Sequence, residues 1–280
     1  MKLKIILPAA FFLAGLAPLS SLGWGAAAPN AYDDAVKLHE AGKIKEAIAA
    51  YDSAIKANPR RAEAFVGRGA AYARLGQQDL AIKDEDQAIK LDPKLSQAYF
   101  IRASAYDDLK QYDRAVKDYD EAIRLNAKTS DTFRRRGGAY YALGQFDKAV
   151  GDFTEAIRLD PKDAAAYYER GLAFRRLGKH ETAVQDYTVA LKFNPNNAEI
   201  YNNRANAYYV LRKYDLALAD YDAALKIDPK NARIYANRGL AKLGAGRSAE
   251  AEKDFARSFE LDPSLKQKLE SDLKAKGSLK

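Results

Sequence analysis

Cysteine is absent from the 280 residues. That excludes disulfides, thiolate metal sites, cysteine nucleophiles and a lipidated N-terminal cysteine. Two histidines and one methionine leave little for metal or redox chemistry. His39 and His180 fall at unrelated places in the pattern described below, so no shared metal or triad is expected. Neither a Gly-x-x-x-x-Gly-Lys phosphate loop nor a dinucleotide fingerprint occurs. Acidic pairs such as those in Asp84-Glu85-Asp86 read as ordinary solvated helix charges. No catalytic residue, cofactor or metal site is expected, and the sequence reads as non-enzymatic. Long apolar runs are also scarce. Residues 5–19 form one, and about 15 residues falls short of the roughly 20 a spanning helix needs.

That run belongs to a distinct N-terminal segment. Lys2 and Lys4 precede it, Pro8 and Pro18 interrupt it, and Ser20, Ser21, Gly23, Gly25 and the alanines at 26–28 follow. The order is that of a secretory signal, expected to span residues 1–25 with cleavage somewhere in 23–27. The alternative is an N-terminal membrane anchor. Cleavage after residue 25 would remove two lysines and no acids, taking the formal charge from +8 to +6. The mature chain is expected to lack a membrane span and to be periplasmic or secreted, and a cysteine-free chain suits an oxidising compartment. Composition is otherwise that of a folded protein, 30% charged and 48% hydrophobic. The basic excess reads as a solvated surface; a polyanion or nucleic acid is the alternative ligand.

The rest of the chain repeats itself every 34 residues. Pro59, Pro93, Pro161, Pro195, Pro229 and Pro263 mark the period, and Ala127 stands where one proline is missing. Within residues 164–195, Tyr167, Arg170, Gly171 and Phe174 share one helical face. Leu177-Gly178 stops that helix. Ala183, Tyr187, Ala190 and Leu191 define a second, which Pro195 ends. Each unit is a helix–turn–helix that must stack on its neighbours to bury its apolar face. Ala47, Ala81, Ala115, Ala149, Ala183, Ala217 and Ala251 form one invariant column, which implies close helix axes. Ala35, Gly69, Ala103, Gly137, Gly171, Ala205 and Gly239 form a second small column. Tyr51, Tyr119, Phe153, Tyr187, Tyr221 and Phe255 supply rings to lodge against it, with Glu85 the exception. Tyr72, Tyr106, Tyr140, Phe174 and Tyr208 are read as the other half of the core.

These columns resemble the tetratricopeptide repeat family: the period, the aromatic-x-x-x-Gly-x-x-Tyr first helix, the Ala-x-x-x-aromatic-x-x-Ala second helix and the closing proline. Tyr or Phe stands where the family often has Trp, and arginine where it often has Leu. The expected fold is all-α: a right-handed superhelical solenoid of seven helix-turn-helix repeats, at about residues 28–61, 62–95, 96–129, 130–163, 164–197, 198–231 and 232–263. A capping helix on the Leu265, Leu269, Leu273 stripe and a frayed tail fill 264–280. The arginine column (Arg68, Arg102, Arg136, Arg170, Arg204, Arg238) is followed 16 residues later by Asp84, Asp118, Asp152, Asp186, Asp220 and Asp254. An ion pair between the two helices of one repeat is expected.

The resemblance implies a groove lined by the first helices and a protein or peptide partner held in it, with self-association possible and nucleic acid disfavoured. Groove columns offer Arg134, Arg135, Tyr141, Tyr168, Glu169, Arg175 and Arg176, then Asn202, Asn203, Asn206, Tyr209 and Asn237. Asparagine carries a donor and an acceptor that match a peptide backbone, and Asn203 and Asn237 share a column like an asparagine ladder. The family's carboxylate clamp is not matched: Asn206 and Asn237 fit it, but Asn202 replaces a lysine and its third repeat would fall on Gln267 and Ser271.

Overall fold

The computed structural model describes residues 31–267, and over them fourteen α-helices run in succession without a strand. The expected signal segment and residues 268–280 of the expected capping helix lie outside the described residues. The chain divides into two compact units after Lys128. The first holds α1 (Ala31–Glu40), α2 (Ile44–Ala57), α3 (Ala62–Arg74), α4 (Gln78–Leu91), α5 (Ser96–Asp108) and α6 (Tyr112–Arg124). The second holds α7 (Ser130–Ala142), α8 (Phe146–Leu159), α9 (Ala164–Arg176), α10 (His180–Phe193), α11 (Ala198–Val210), α12 (Tyr214–Ile227), α13 (Ala232–Gly244) and α14 (Ser248–Leu261).

The punctuation follows from backbone sterics. A residue before proline is pushed out of the helical region into extended backbone. Asn58, Asp92, Asp160, Asn194, Asp228 and Asp262 each precede a proline, and each ends its helix at φ between −147° and −127°. Where Ala127 replaces the proline, α6 stops a residue earlier and Asn126 turns the chain at φ +84°. Asparagine is among the few side chains that tolerate that region. The turn inside each pair uses Gly42, Gly76, Gly144, Gly178 and Gly246, all near φ +75°, while Lys110 and Arg212 hold the same column at +59° and +58°.

Packing bears out the small columns. All seven alanines of the invariant column have no exposed surface. A Cβ placed on Gly171 would lie 2.6 Å from the Tyr187 ring, and on Gly137 2.8 Å from Phe153. Each glycine is therefore the seat of a ring from its partner helix. Gly69 seats Glu85 instead, which corrects the expectation of solvated charges in Asp84-Glu85-Asp86: Asp84 is buried in its fork, and Glu85 is fully buried with neither carboxyl oxygen hydrogen-bonded. Burial holds that carboxyl well above the usual carboxylate range, and neighbouring Asp84 pushes it the same way.

The arginine column forms the expected forks. In all six pairs Nε and Nη2 donate to the two oxygens of one aspartate at 2.6–2.8 Å. A second bond was not expected. Nη1 of Arg68, Arg102 and Arg238 reaches Asp52, Asp86 and Asp222 of the preceding pair, and that of Arg170 and Arg204 reaches Thr154 and Thr188. In these five repeats the guanidinium thus ties its own repeat and joins it to the one before. The second aromatic column packs on the core as expected at Tyr106, Tyr140, Phe174 and Tyr208, and has a further role. Tyr72, Tyr140 and Phe174 are only partly buried and flank the guanidinium at 5.7–5.9 Å, with Phe65, Phe133 and Tyr167 on the other side at 5.6–5.7 Å. These rings sheath the ion pair; of that column, Tyr106 is the member that is buried.

Two substitutions test this packing by thermal or urea denaturation. Arg170→Met strands the buried Asp186 carboxylate and should cost about 3 kcal/mol. Glu85→Phe restores the ring that Gly69 is shaped to receive. It should stabilise the protein at neutral pH by roughly 1–3 kcal/mol, the usual cost of a buried unpaired polar group.

Candidate functional site

Within each unit the first helices of successive pairs touch one another: α1–α3 and α3–α5 in the first, α7–α9, α9–α11 and α11–α13 in the second. The second helices make no comparable contact with each other. Each stack is therefore tighter along its first helices, whose free face is the inside of the curve. The residues expected to meet a partner are carried by the first helices α7, α9, α11 and α13 of the second unit. Its helices are anchored by side-chain N-caps. Thr129 caps α7, Asp163 caps α9, Asn197 caps α11 and Asn231 caps α13. Such caps fix helix starts by satisfying orphan N–H groups.

The polar residues on this face bond to one another across the helix joints. Arg134 on α7 donates to Glu169 on α9 at 3.3 Å, Asn203 on α11 to the Tyr168 hydroxyl on α9 at 3.0 Å, and Asn237 on α13 to Asn202 on α11 at 3.1 Å. Each link spans 35 residues, one more than the period. The signal was therefore in the sequence, one register off the columns. Asn203 is 7% exposed, and its amide also donates to the Glu199 carbonyl while its oxygen accepts from Arg175 at 3.2 Å. The expected ladder therefore changes: Asn203 is held by its own fold, whereas Asn237 and Asn202 stay partly exposed. Asn206 accepts from the Tyr221 hydroxyl at 2.6 Å.

The four groove arginines differ sharply. Arg134 sits among Asp131 at 2.8 Å, Glu169 at 3.3 Å and Asp163 at 3.5 Å. Arg135 is buried and pairs with Asp131 at 2.8 Å. Arg176 is exposed and lies over Phe146 at 4.6 Å, with Tyr141 packed edge-on against that ring. Arg175 has the Asn203 oxygen and no carboxylate. Tyr209 packs against Tyr214. The Glu169 carboxyl is pushed up to about 7 by burial, with Asp163 adding to the rise and Arg134 opposing it; its Oε2 is sealed without a partner.

Profiles of the tetratricopeptide repeat match residues 32–96, 96–129, 134–198, 198–231 and 220–253. The chain belongs to the tetratricopeptide repeat family. Proteins of this family are in general scaffolds for protein–protein interaction, not enzymes. Among solved structures, YrrB, described as a repeat protein with an unusual peptide-binding site, is similar at 21% identity and TM-score 0.60, over 70% of this chain and 97% of its own. MamA is similar at 28% identity and TM-score 0.54, over 57% and 94%. PilF of Pseudomonas aeruginosa is similar at 20% identity and TM-score 0.61, over 72% and 92%. No curated protein matches closely enough to count as a relative. Among the described residues no helix is long and apolar enough to cross a membrane.

The raised Glu169 carboxyl makes a testable link to pH. The folded protein holds this proton more tightly than the unfolded chain, so its contribution is complete below about 4.5 and is lost as pH rises through about 7. The difference in melting temperature, Glu169→Gln minus wild type, should therefore grow between pH 4.5 and 7.5.

Proposed function

We propose that the protein is an exported, non-enzymatic scaffold that grips a segment of a partner protein along the inner face of α7, α9, α11 and α13. One observation carries the reading. The backbone and core of these repeats are near-identical, yet the partly exposed inner positions differ from helix to helix: Tyr141 on α7, Tyr168 and Arg175 on α9, Asn202, Asn206 and Tyr209 on α11, Asn237 on α13. A surface that varies on an invariant frame is suited to recognising an irregular sequence. Amide and hydroxyl groups there can pair with a peptide backbone, and the tyrosine rings bury apolar surface at small entropic cost. YrrB, built on the same fold, is described as having a peptide-binding site, which supports the class of ligand. Export rests on the N-terminal pattern of two lysines, a short apolar run and small residues. The polyanion alternative loses its main support, because the regular arginine column is occupied by the aspartate forks.

Site-specific photo-crosslinking in the native envelope tests both halves. A crosslinker at Tyr209, on the inner face, should capture a defined partner in the exported fraction. One at the exposed Lys192 on α10 should not. Equal capture from both positions, or from neither, would overturn the groove.

A further inference from the structure

The turn between α11 and α12 breaks the pattern of its sister turns. Val210, which ends α11, and Leu216, in the first turn of α12, are 54% and 50% exposed. They are the most exposed large hydrophobic side chains among the described residues. Nothing in the repeat demands them. At the place of Val210 other turns carry Glu40, Arg74, Asp108 or Arg176; at the place of Leu216 they carry Glu46, Arg114, Lys148 or Glu250. Apolar surface stands in water here where the sister turns put charge.

The tip between these two residues is cationic. Arg212 occupies the left-handed region at φ +58°, where five of the equivalent positions are glycine. The next position holds Lys179, Lys213 and Arg247 in three successive turns, against Gln77, Gln111 and Gln145 earlier in the chain. Arg247 pairs with Asp215 at 3.0 Å, while Arg212 and Lys213 are exposed and form no ion pair among the described residues. Arg212, Lys213, Leu216 and Arg247 line one open cleft of about 470 Å³ between this turn and the next. The turn is braced from below. Tyr214 packs on Tyr209 with ring centroids 6.0 Å apart and fills a seat on Gly244, where a Cβ would lie 2.5 Å from the ring. The α3–α4 turn offers a comparison. There Leu80, in the column of Leu216, lines a smaller cleft of about 280 Å³ with Leu109, and the polar members are Gln77, Gln78 and Asp79. That edge is apolar without cations.

Aliphatic side chains set among long-stemmed unpaired bases match the boundary of an anionic bilayer. The apolar groups reach the acyl edge, and the cationic heads stay with the phosphates. A bilayer presents both complements at every point of its surface, whereas a protein partner would have to place an acid against each base. We propose that the α11–α12 turn is a peripheral docking surface for an anionic lipid bilayer, with Val210 and Leu216 entering the interface and Arg212 and Lys213 engaging lipid phosphates. The inference is independent of the groove, which lies on the first helices.

Binding of the full chain to vesicles tests this, with phosphatidylcholine alone and phosphatidylcholine mixed in equal parts with phosphatidylglycerol as probes. At about fivefold for each base near an anionic surface, the mixed vesicles should be preferred about thirtyfold. Arg212→Gln with Lys213→Gln should remove most of that preference. Val210→Ser with Leu216→Ser should weaken binding to the mixed vesicles about tenfold. Leu80→Ser should leave it unchanged, with the helical signal intact in every variant. Residues 5–19 are themselves apolar, so a local readout is added. The chain has no cysteine. An environment-sensitive dye attached through Ala245→Cys, beside the cleft, should shift to the blue on mixed vesicles, and one attached through Lys192→Cys on α10 should not. Equal affinity for both vesicles, an undiminished preference in the glutamine variant, or a silent dye at position 245 on vesicle-bound protein overturns the proposal. Binding to polyglutamate through the same two bases, without binding to mixed vesicles, overturns it in favour of an acidic protein segment.

Discussion

The fork between one arginine and two neighbouring helices sets the geometry of everything else. Its planar guanidinium fixes both the angle and the height of the aspartate-bearing helix, because two parallel bonds to one carboxylate tolerate little rotation. The third nitrogen then reaches back to the preceding pair, so the same group that closes a hairpin also spaces the hairpins. Rings above and below exclude water from the pair. Its net contribution to stability is modest once desolvation is counted; its role is to define a single stacking arrangement among the many that alanine-rich faces would permit.

Much of this was legible in the sequence because a repeat is its own alignment. Seven copies of one alanine column could only mean helices in close contact, and the 16-residue step from arginine to aspartate named the fork. What no single column displays is a side chain that serves two neighbours. Asp52, Asp86 and Asp222 lie 16 residues before their arginines, and a search within one repeat passes over them. Tyr72 and Phe174 stay partly exposed although their column is apolar, because each ring also covers a guanidinium, and Phe174 packs on the core as well. On the inner face, polar variety does not by itself mean free surface. Asn203 shows the limit of that inference, since its bonds run to Tyr168 at a spacing that no single column displays.

The two units line their inner faces differently. In the first, the positions that exchange hydrogen bonds elsewhere are held by Val66, Phe100 and Ile101, with Val66 and Ile101 buried. In the second they are Arg134, Tyr168, Glu169, Asn202, Asn203 and Asn237. The frame is the same in both, so the difference is confined to side chains that the forks and alanine columns leave unconstrained. The polar lining is in this sense separable from architecture, and it is concentrated between α7 and α13.

That separation has a cost set by the 35-residue links. Excising residues 164–197 would leave every fork with an arginine and an aspartate at its proper distance, and the stack could close over the gap. The same deletion would bring Arg134 beside Asn203 in place of Glu169, and Tyr168 would be gone. Gain or loss of whole repeats is therefore neutral for the scaffold and disruptive for its lining. In such an array length can drift freely, while the order of the repeats that carry these links is frozen by their bonds to one another.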